Sequence, residues 1–371
     1  MISPEDFRLS RLAYLFSIFA LAACSNIADE RAVPEAFSIG TIESIYVATN
    51  RNLTSDGTLG AGRTTSLRFL DLQVSLPPGR KPGVIKTNPD NPNPKKNFVV
   101  AQRIMFPDQK AFESNLHSAV RNRPADGREV TVFVHGYNNS LSEAAFRAAQ
   151  LKHDLEIPGE VIAFSWPSRG TAFGYAYDKD SVLSGRDMLA QLLIDLLRSG
   201  IQRIVLVGHS MGAFLSMESL REIDLKHPGW SADSISGVVL ISPDIDIDVF
   251  RSQASQVNPL PQPFIVFTST DDPALRIAAR FSGRPARLGN LSQIGELSDF
   301  PVTFIDVTAF SKDSKTAHFV AGSSPALISI LDNQENYDRD LLRGESGMSG
   351  LLPGVTSTQN SATQTIVGSE R

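Results

Sequence analysis

The sequence predicts an α/β fold: a mostly parallel sheet with helices on both faces, entered through an antiparallel N-terminal extension. Three observations predict it. From Glu129 onward, short apolar runs alternate with segments of helical spacing, as right-handed βαβ crossovers require. Ahead of Asp108, strand candidates follow one another with only turn-rich stretches between them. In Arg203-Ile204-Val205-Leu206-Val207-Gly208-His209-Ser210-Met211-Gly212, a β-branched run breaks at a glycine and leads into a helix-compatible segment, Ala213 to Lys226.

Taken in order, Ile39 to Asn50 alternates loosely and reads as a strand. Asn50 to Arg63, rich in Gly, Thr and Asn, reads as a loop. Ser66 to Leu76 and Phe98 to Met105 are further strands, separated by the turn-rich stretch Pro77 to Lys96. Asp108 to Val120 has helical spacing. Val130 to Val134 is near-continuously apolar, as befits a strand covered on both faces. Ser140 to Leu155 opens with Ser140-x-x-Glu143, the pattern of a capping box. Val161 to Trp166 is a strand, and Ser181 to Ser199 an amphipathic helix with Leu189, Leu192, Leu193, Leu196 and Leu197 on one side. Ile235 to Ile241, Phe264 to Thr268 and Val302 to Val307 complete the strands, and Pro325 to Leu331 reads as a last helix.

The 371 residues have room for a sizeable core, and 42% hydrophobic with 20% charged residues fits a globular protein. A net charge of -5 without a basic stripe argues against nucleic acid as a partner. The first residues differ from the rest. Arg8 and Arg11 precede an apolar run, Leu12 to Ala23, which is short for a bilayer span and has the shape of a secretory leader, although Glu5 and Asp6 are unusual there. Leu21-Ala22-Ala23-Cys24 resembles the bacterial lipobox, and Cys24 is the single cysteine of the chain. That resemblance implies lipidation at Cys24 and a membrane-anchored place in the bacterial cell envelope. Ser25 in the next position implies the outer membrane, facing the periplasm. The expected organisation is thus a leader over 1–23, a tether over 24–38, one domain over 39–343 and an unstructured tail over 344–371.

Gly208-His209-Ser210-Met211-Gly212 is an instance of G-x-S-x-G, and on a strand-to-helix turn this motif lifts the serine hydroxyl above the sheet edge. A nucleophilic serine needs a base, an acid that orients it, and donors for the developing oxyanion. His135-Gly136 directly follows the strand Val132-Phe133-Val134. It offers the backbone N–H of Tyr137, or of Asn138 one residue on, beside that of Met211. In this arrangement the acid and the histidine follow the serine in the chain. Of the histidines after Ser210, His227 ends the elbow helix, whereas His318 lies in a loop after the last strand and is the expected base. The acid is sought among Asp272, Asp271 and Asp244, in that order. The run Asp244-Ile245-Asp246-Ile247-Asp248 lacks the glycine turn and distal glutamate of a calcium loop, so helix capping is expected of it and no metal. Pro167 to Asp180, with Phe173, Tyr175 and Tyr177, either borders the cleft or packs as ordinary aromatics. Arg169 and Arg186 are expected on the surface.

Six stretches resemble one known family, the α/β-hydrolases grouped as DUF900. They are Ala48-Thr49-Asn50-Arg51, Val134-His135-Gly136-Tyr137-Asn138, Ala163-Phe164-Ser165-Trp166-Pro167-Ser168, Val207 to Gly212, Ser242-Pro243-Asp244-Ile245-Asp246 and Ser269-x-x-Asp272-x-Ala274-Leu275. The resemblance spans roughly residues 40 to 320 and implies an α/β-hydrolase fold with serine hydrolase chemistry. Its acid motif, close to S-x-x-D-x-A-L, implies Asp272 rather than Asp271. The expected activity is cleavage of a carboxylic ester through an acyl-enzyme on Ser210, with a small ester or acyl compound as substrate and no cofactor. Two rivals stand beside it: an envelope-anchored binding or scaffold module on a hydrolase fold, and an acyltransferase using the same residues.

Overall fold

Val-Thr-Val-Phe-Val at 130–134 has side chains that must all leave water, and the structure answers with a strand covered on both sides. In the computed structural model, residues 32–171, 174–275, 287–290, 297–310, 317–324 and 363–366 are described. They form a ten-stranded sheet in the order β10-β9-β8-β7-β6-β4-β5-β1-β2-β3. The strands are β1 (Thr41–Leu53), β2 (Leu59–Leu76), β3 (Val99–Met105), β4 (Val130–Val134), β5 (Glu160–Ser165), β6 (Ile204–His209), β7 (Gly237–Ile241), β8 (Phe264–Thr268), β9 (Thr303–Asp306) and β10 (Thr363–Ile366). The helices are α1 (Gln109–Arg121), α2 (Leu141–Asp154), α3 (Tyr175–Arg198), α4 (Met211–Lys226), α5 (Trp230–Ser234), α6 (Ile247–Gln256) and α7 (Val320–Ser323).

The chain is an α/β fold with a mostly parallel sheet. β1 pairs antiparallel with β2, and β2 with β3; β1 then joins the parallel body through β5, with Ala48 opposite Phe164. The two-residue period of the strands sorts their side chains into two cores. Val132, Val134, Ile162, Phe164, Leu206 and Val238 face α1, α3, α4 and α6. Phe133, Val161, Ala163, Ile265 and Phe267 face α2 and α7. β4 lies between β5 and β6, so Val134 has Phe164 on one side and Gly208 on the other. This register brings the C-terminal ends of β4, β5 and β6 level, and the loops that leave them share one edge of the sheet.

Three boundaries differ from the sequence expectation. Asn50 to Arg63 is mostly strand rather than loop. β1 runs on to Leu53 and β2 begins at Leu59, with Arg51 opposite Arg63 and register shifts on both sides of that pair. Those shifts break the alternation by which a strand is recognised. The true turn is 54–58, where the Thr54 and Thr58 hydroxyls converge on Asp56. α3 starts at Tyr175 rather than Ser181, because its first turn buries Asp178 instead of an apolar face. In the segment expected to be a tail, Thr363–Ile366 adds a strand parallel to β9, and Thr-Gln-Thr-Ile has the β-branched alternation that suits one. The leader, Cys24, Phe173 and Pro325 to Leu331 lie outside the described residues. Among the described residues no helix is long and apolar enough to cross a membrane.

Candidate active site

At the C-terminal end of β6 the backbone turns sharply into α4. Ser210 occupies the corner with φ 53° and ψ -119°, a conformation that costs a non-glycine residue on the order of 1–3 kcal/mol. Hydrogen bonds to the neighbouring strand end hold it there. Ser210 N–H donates to the Ile241 carbonyl at 2.9 Å, and the Ser210 carbonyl accepts from Asp244 N–H at 3.2 Å. Close approach requires glycine on the flank of the turn. A Cβ on Gly212 would lie 2.3 Å from the carbonyl oxygens of both Val134 and His135. One on Gly136 would lie 3.0 Å from Ser210 Cβ, so the His135-Gly136 loop rests directly against the serine.

The structure brings together the three side chains named for the chemistry. His318, in the short 3-10 turn Ala317–Phe319, places Nε2 2.7 Å from Ser210 Oγ and Nδ1 2.7 Å from Asp272 Oδ2. A carboxylate can only accept, so Nδ1 carries the proton and Nε2 offers its lone pair to the serine hydroxyl. Asp272 is fully buried. Its other oxygen, Oδ1, accepts from the N–H groups of Ala274 and Leu275 at 2.9 and 3.1 Å, which fixes the carboxylate plane. The alternatives lie elsewhere. Asp271 is exposed. Asp244 accepts from Tyr175 Oη–H at 2.9 Å and faces the Arg287 guanidinium at 3.4 Å. Asp246 caps α6 through the N–H groups of Asp248 and Val249, as expected. His227 is the exposed C-terminal cap of α4.

Met211 opens α4 immediately after the serine, and Tyr137 follows Gly136 in the loop that leaves β4. Asn138, at φ 59°, donates its N–H to the Asp178 carboxylate at 3.4 Å. Asn139 Nδ2 donates to the Tyr137 carbonyl at 2.8 Å and to that of Gly136 at 3.3 Å, which fixes the orientation of the intervening peptides. His135 lies beneath this loop, its ring stacked on Trp166 at 4.9 Å. Burial, reinforced by the charge of Arg51, pushes its pKa down to about 3 and keeps the ring neutral. Tyr175 and Tyr177, the described aromatics of the 167–180 segment, are packed. Tyr137 and Tyr175 meet edge to face at 5.6 Å, and Tyr177 Oη–H donates to the Ala61 carbonyl at 2.8 Å. Arg186 pairs with Asp187 and Glu222 on the surface.

Sequence reasoning passed over His209, because it weighed only histidines that follow the serine. Nε2–H of His209 donates to the His318 carbonyl at 3.1 Å, and its ring packs edge-on against Phe319 at 4.5 Å. Burial, and then the neighbouring His318, hold its pKa well below the ordinary histidine value. A neutral His209 therefore pins the backbone of His318 while its own strand carries Ser210. Its position beside the nucleophile was the available signal. Arg147 of α2 closes the other side, 4.5 Å above the Phe319 ring.

Residues 108–334 match the family described as "Alpha/beta hydrolase of unknown function (DUF900)". Among solved structures, the chain is similar to a candidate cell-surface hydrolase from Lactobacillus plantarum, at 13% identity over 58% of this chain and 96% of that one, with a TM-score of 0.34. It is also similar to a poly(3-hydroxybutyrate) depolymerase from Bordetella parapertussis, at 13% identity over 94% and 89%, TM-score 0.25. A lipase-esterase related protein from Clostridium acetobutylicum matches at 16% identity over 54% and 80%, TM-score 0.22. No curated protein matches the chain.

Proposed function

The chain belongs to the DUF900 family of α/β-hydrolases, and from that premise we propose that it is a serine hydrolase cleaving carboxylic esters through an acyl-enzyme on Ser210. The observation that supports it is the unbroken hydrogen-bond line from Ser210 Oγ through His318 to Asp272. Ser210 Oγ attacks the ester carbonyl as His318 Nε2 takes its proton. The Asp272 carboxylate stabilises the imidazolium that forms. The carbonyl oxygen, now negative, is held by the N–H groups of Tyr137 and Met211, each contributing roughly 3–4 kcal/mol to the transition state. His318 then returns the proton to the leaving alcohol, and water repeats the sequence to free the acid.

Ser210→Ala tests this directly. Hydrolysis of short p-nitrophenyl esters and labelling by a fluorophosphonate probe are both lost while thermal unfolding stays within a few degrees of the wild type. Unchanged turnover in that variant would sink the assignment. We further propose that Cys24 is lipidated and holds the enzyme at the bacterial envelope, on the strength of Leu21-Ala22-Ala23-Cys24. Cys24→Ala is then expected to abolish palmitate incorporation and to shift the protein from the membrane to the soluble fraction.

A further inference from the structure

Two of the family-like stretches, Ala48-Thr49-Asn50-Arg51 and Ala163 to Ser168, carry none of the groups assigned to the chemistry. The structure brings both to one place, behind the loop that carries Tyr137. Arg51, at the end of β1, is 3% exposed. Its guanidinium reaches three chain segments: Nε donates to Ser165 Oγ at 3.0 Å, one terminal nitrogen to the Ser168 carbonyl at 3.0 Å and the Gly60 carbonyl at 3.4 Å, and the other to the Asn139 carbonyl at 2.8 Å. Asp178, fully buried in the first turn of α3, binds the same loop. It accepts from Ser168 Oγ–H at 2.5 Å, from Arg169 N–H at 2.8 Å and from Asn138 N–H at 3.4 Å. Ser168 Oγ in turn accepts from Asn139 N–H at 3.2 Å.

Burying a guanidinium and a carboxylate is costly and stabilises a fold weakly at best, so stability alone is a poor reason for the pair. The two charges do, however, grip consecutive backbone groups of one short loop. They hold the Asn138 N–H, the Asn139 N–H through Ser168, and the Asn139 carbonyl. Asn138 sits at φ 59°, a region that asparagine enters more readily than most side chains. The Tyr137 peptide immediately precedes this clamp.

We propose that Arg51 and Asp178 are positioning residues for the oxyanion hole: they fix the Asn138-Asn139 backbone so that the Tyr137 N–H is aimed at the substrate oxygen before substrate arrives. This proposal rests on the serine hydrolase reading above. Planar, forked donation is what these separated acceptors require, and a lysine ammonium cannot reproduce it. Asp178→Asn keeps the shape but puts an amide where one acceptor oxygen stood. Pre-set donors act on the transition state and not on the bound ester, so the loss falls on kcat and leaves KM nearly unchanged.

The test uses the full-length protein with Arg51→Lys, Asp178→Asn and Ser168→Ala beside the wild type. A short p-nitrophenyl ester gives kcat and KM. An aryl trifluoromethyl ketone gives the affinity for a hemiketal, in which Ser210 Oγ adds to the carbonyl carbon, its proton passes to His318 and the former carbonyl oxygen carries the charge. Amide exchange of a peptide covering 136–140 reports the loop itself. Arg51→Lys and Asp178→Asn are expected to lower kcat about 10- to 100-fold with KM within about threefold. The ketone affinity should fall by the same factor as kcat/KM, and loop exchange should quicken. Ser168→Ala removes only the linking hydroxyl, is expected to fold, and should lower kcat about 3- to 10-fold in the same pattern. If the loop exchanges faster while kcat/KM stays within twofold, or if kcat falls with ketone affinity intact, the positioning role is overturned and the clamp is structural only. A wild type that neither hydrolyses the ester nor labels at Ser210 overturns the serine hydrolase reading itself, and the clamp's catalytic role with it.

Discussion

Asp272 and Asp271 are neighbours in sequence and strangers in chemistry. One is fully buried with both oxygens occupied, and the other is exposed. Asp272→Asn should lower kcat roughly 10³- to 10⁴-fold, because the amide favours the wrong imidazole tautomer. Asp271→Asn should leave the rate within about twofold, and ester kinetics on the two variants decides the matter. His135 yields a different expectation. Its imidazole has an ordinary pKa of 6.5 when unfolded and about 3 when folded, so above 6.5 neither state binds a proton and the stabilisation is complete. Below 6.5 the unfolded chain gains a proton that the folded chain refuses, and stability falls by about 1.4 kcal/mol per pH unit. Urea unfolding at pH 7.5 and pH 5 should therefore show a drop shallower by about 2 kcal/mol in His135→Asn than in the wild type. Ser210, His318 and the acid pair were legible in the sequence because the elbow is a local motif and the chain order of its partners follows from the fold. His209, Arg51 and Asp178 were not, since each acts on backbone brought to it by the sheet. No spacing along the chain encodes a guanidinium reaching a carbonyl 88 residues away.

At the scale of single elements, the α4 N-terminus and the strand beneath it approach so closely that Gly212 has no freedom to change. Gly212→Ala would press a methyl carbon into two backbone carbonyls. It should lower the unfolding free energy by about 2 kcal/mol or more, or prevent folding, as measured by denaturant titration. α2 begins with a reciprocal cap. Ser140 Oγ accepts from Glu143 N–H at 3.2 Å while Glu143 accepts from Ser140 N–H at 2.8 Å. Ser140→Ala should cost about 1 kcal/mol. That cap was readable from Ser-x-x-Glu, and the parallel strands from their unbroken apolar runs. The long hairpin of β1 and β2 was only half readable. Its outer part, Leu59 to Thr65, has no sustained apolar alternation, and the register shifts there hide the pairing.

Across the whole molecule, the antiparallel front is tied to the far side of the site. Asp154 of α2 accepts from Arg80 and from Gly83 N–H, fastening the stretch after β2. Ile85 of that stretch packs in the same core as Phe319 and Val320, the residues directly after His318. Replacing residues 79–97 by a short turn should therefore lower both the melting temperature and kcat, the latter about tenfold, although no removed residue touches Ser210. Differential scanning fluorimetry and ester kinetics on the same preparation would check it. The 108-residue separation of Ser210 and His318 has a consequence for the newborn protein. Chains are made from the N-terminus, and the elbow can be built before the histidine has emerged. On the proposed mechanism, the serine is an ordinary alcohol until the His318 loop docks. The proposed hydrolase would thus gain an activated nucleophile only once the His318 loop is in place.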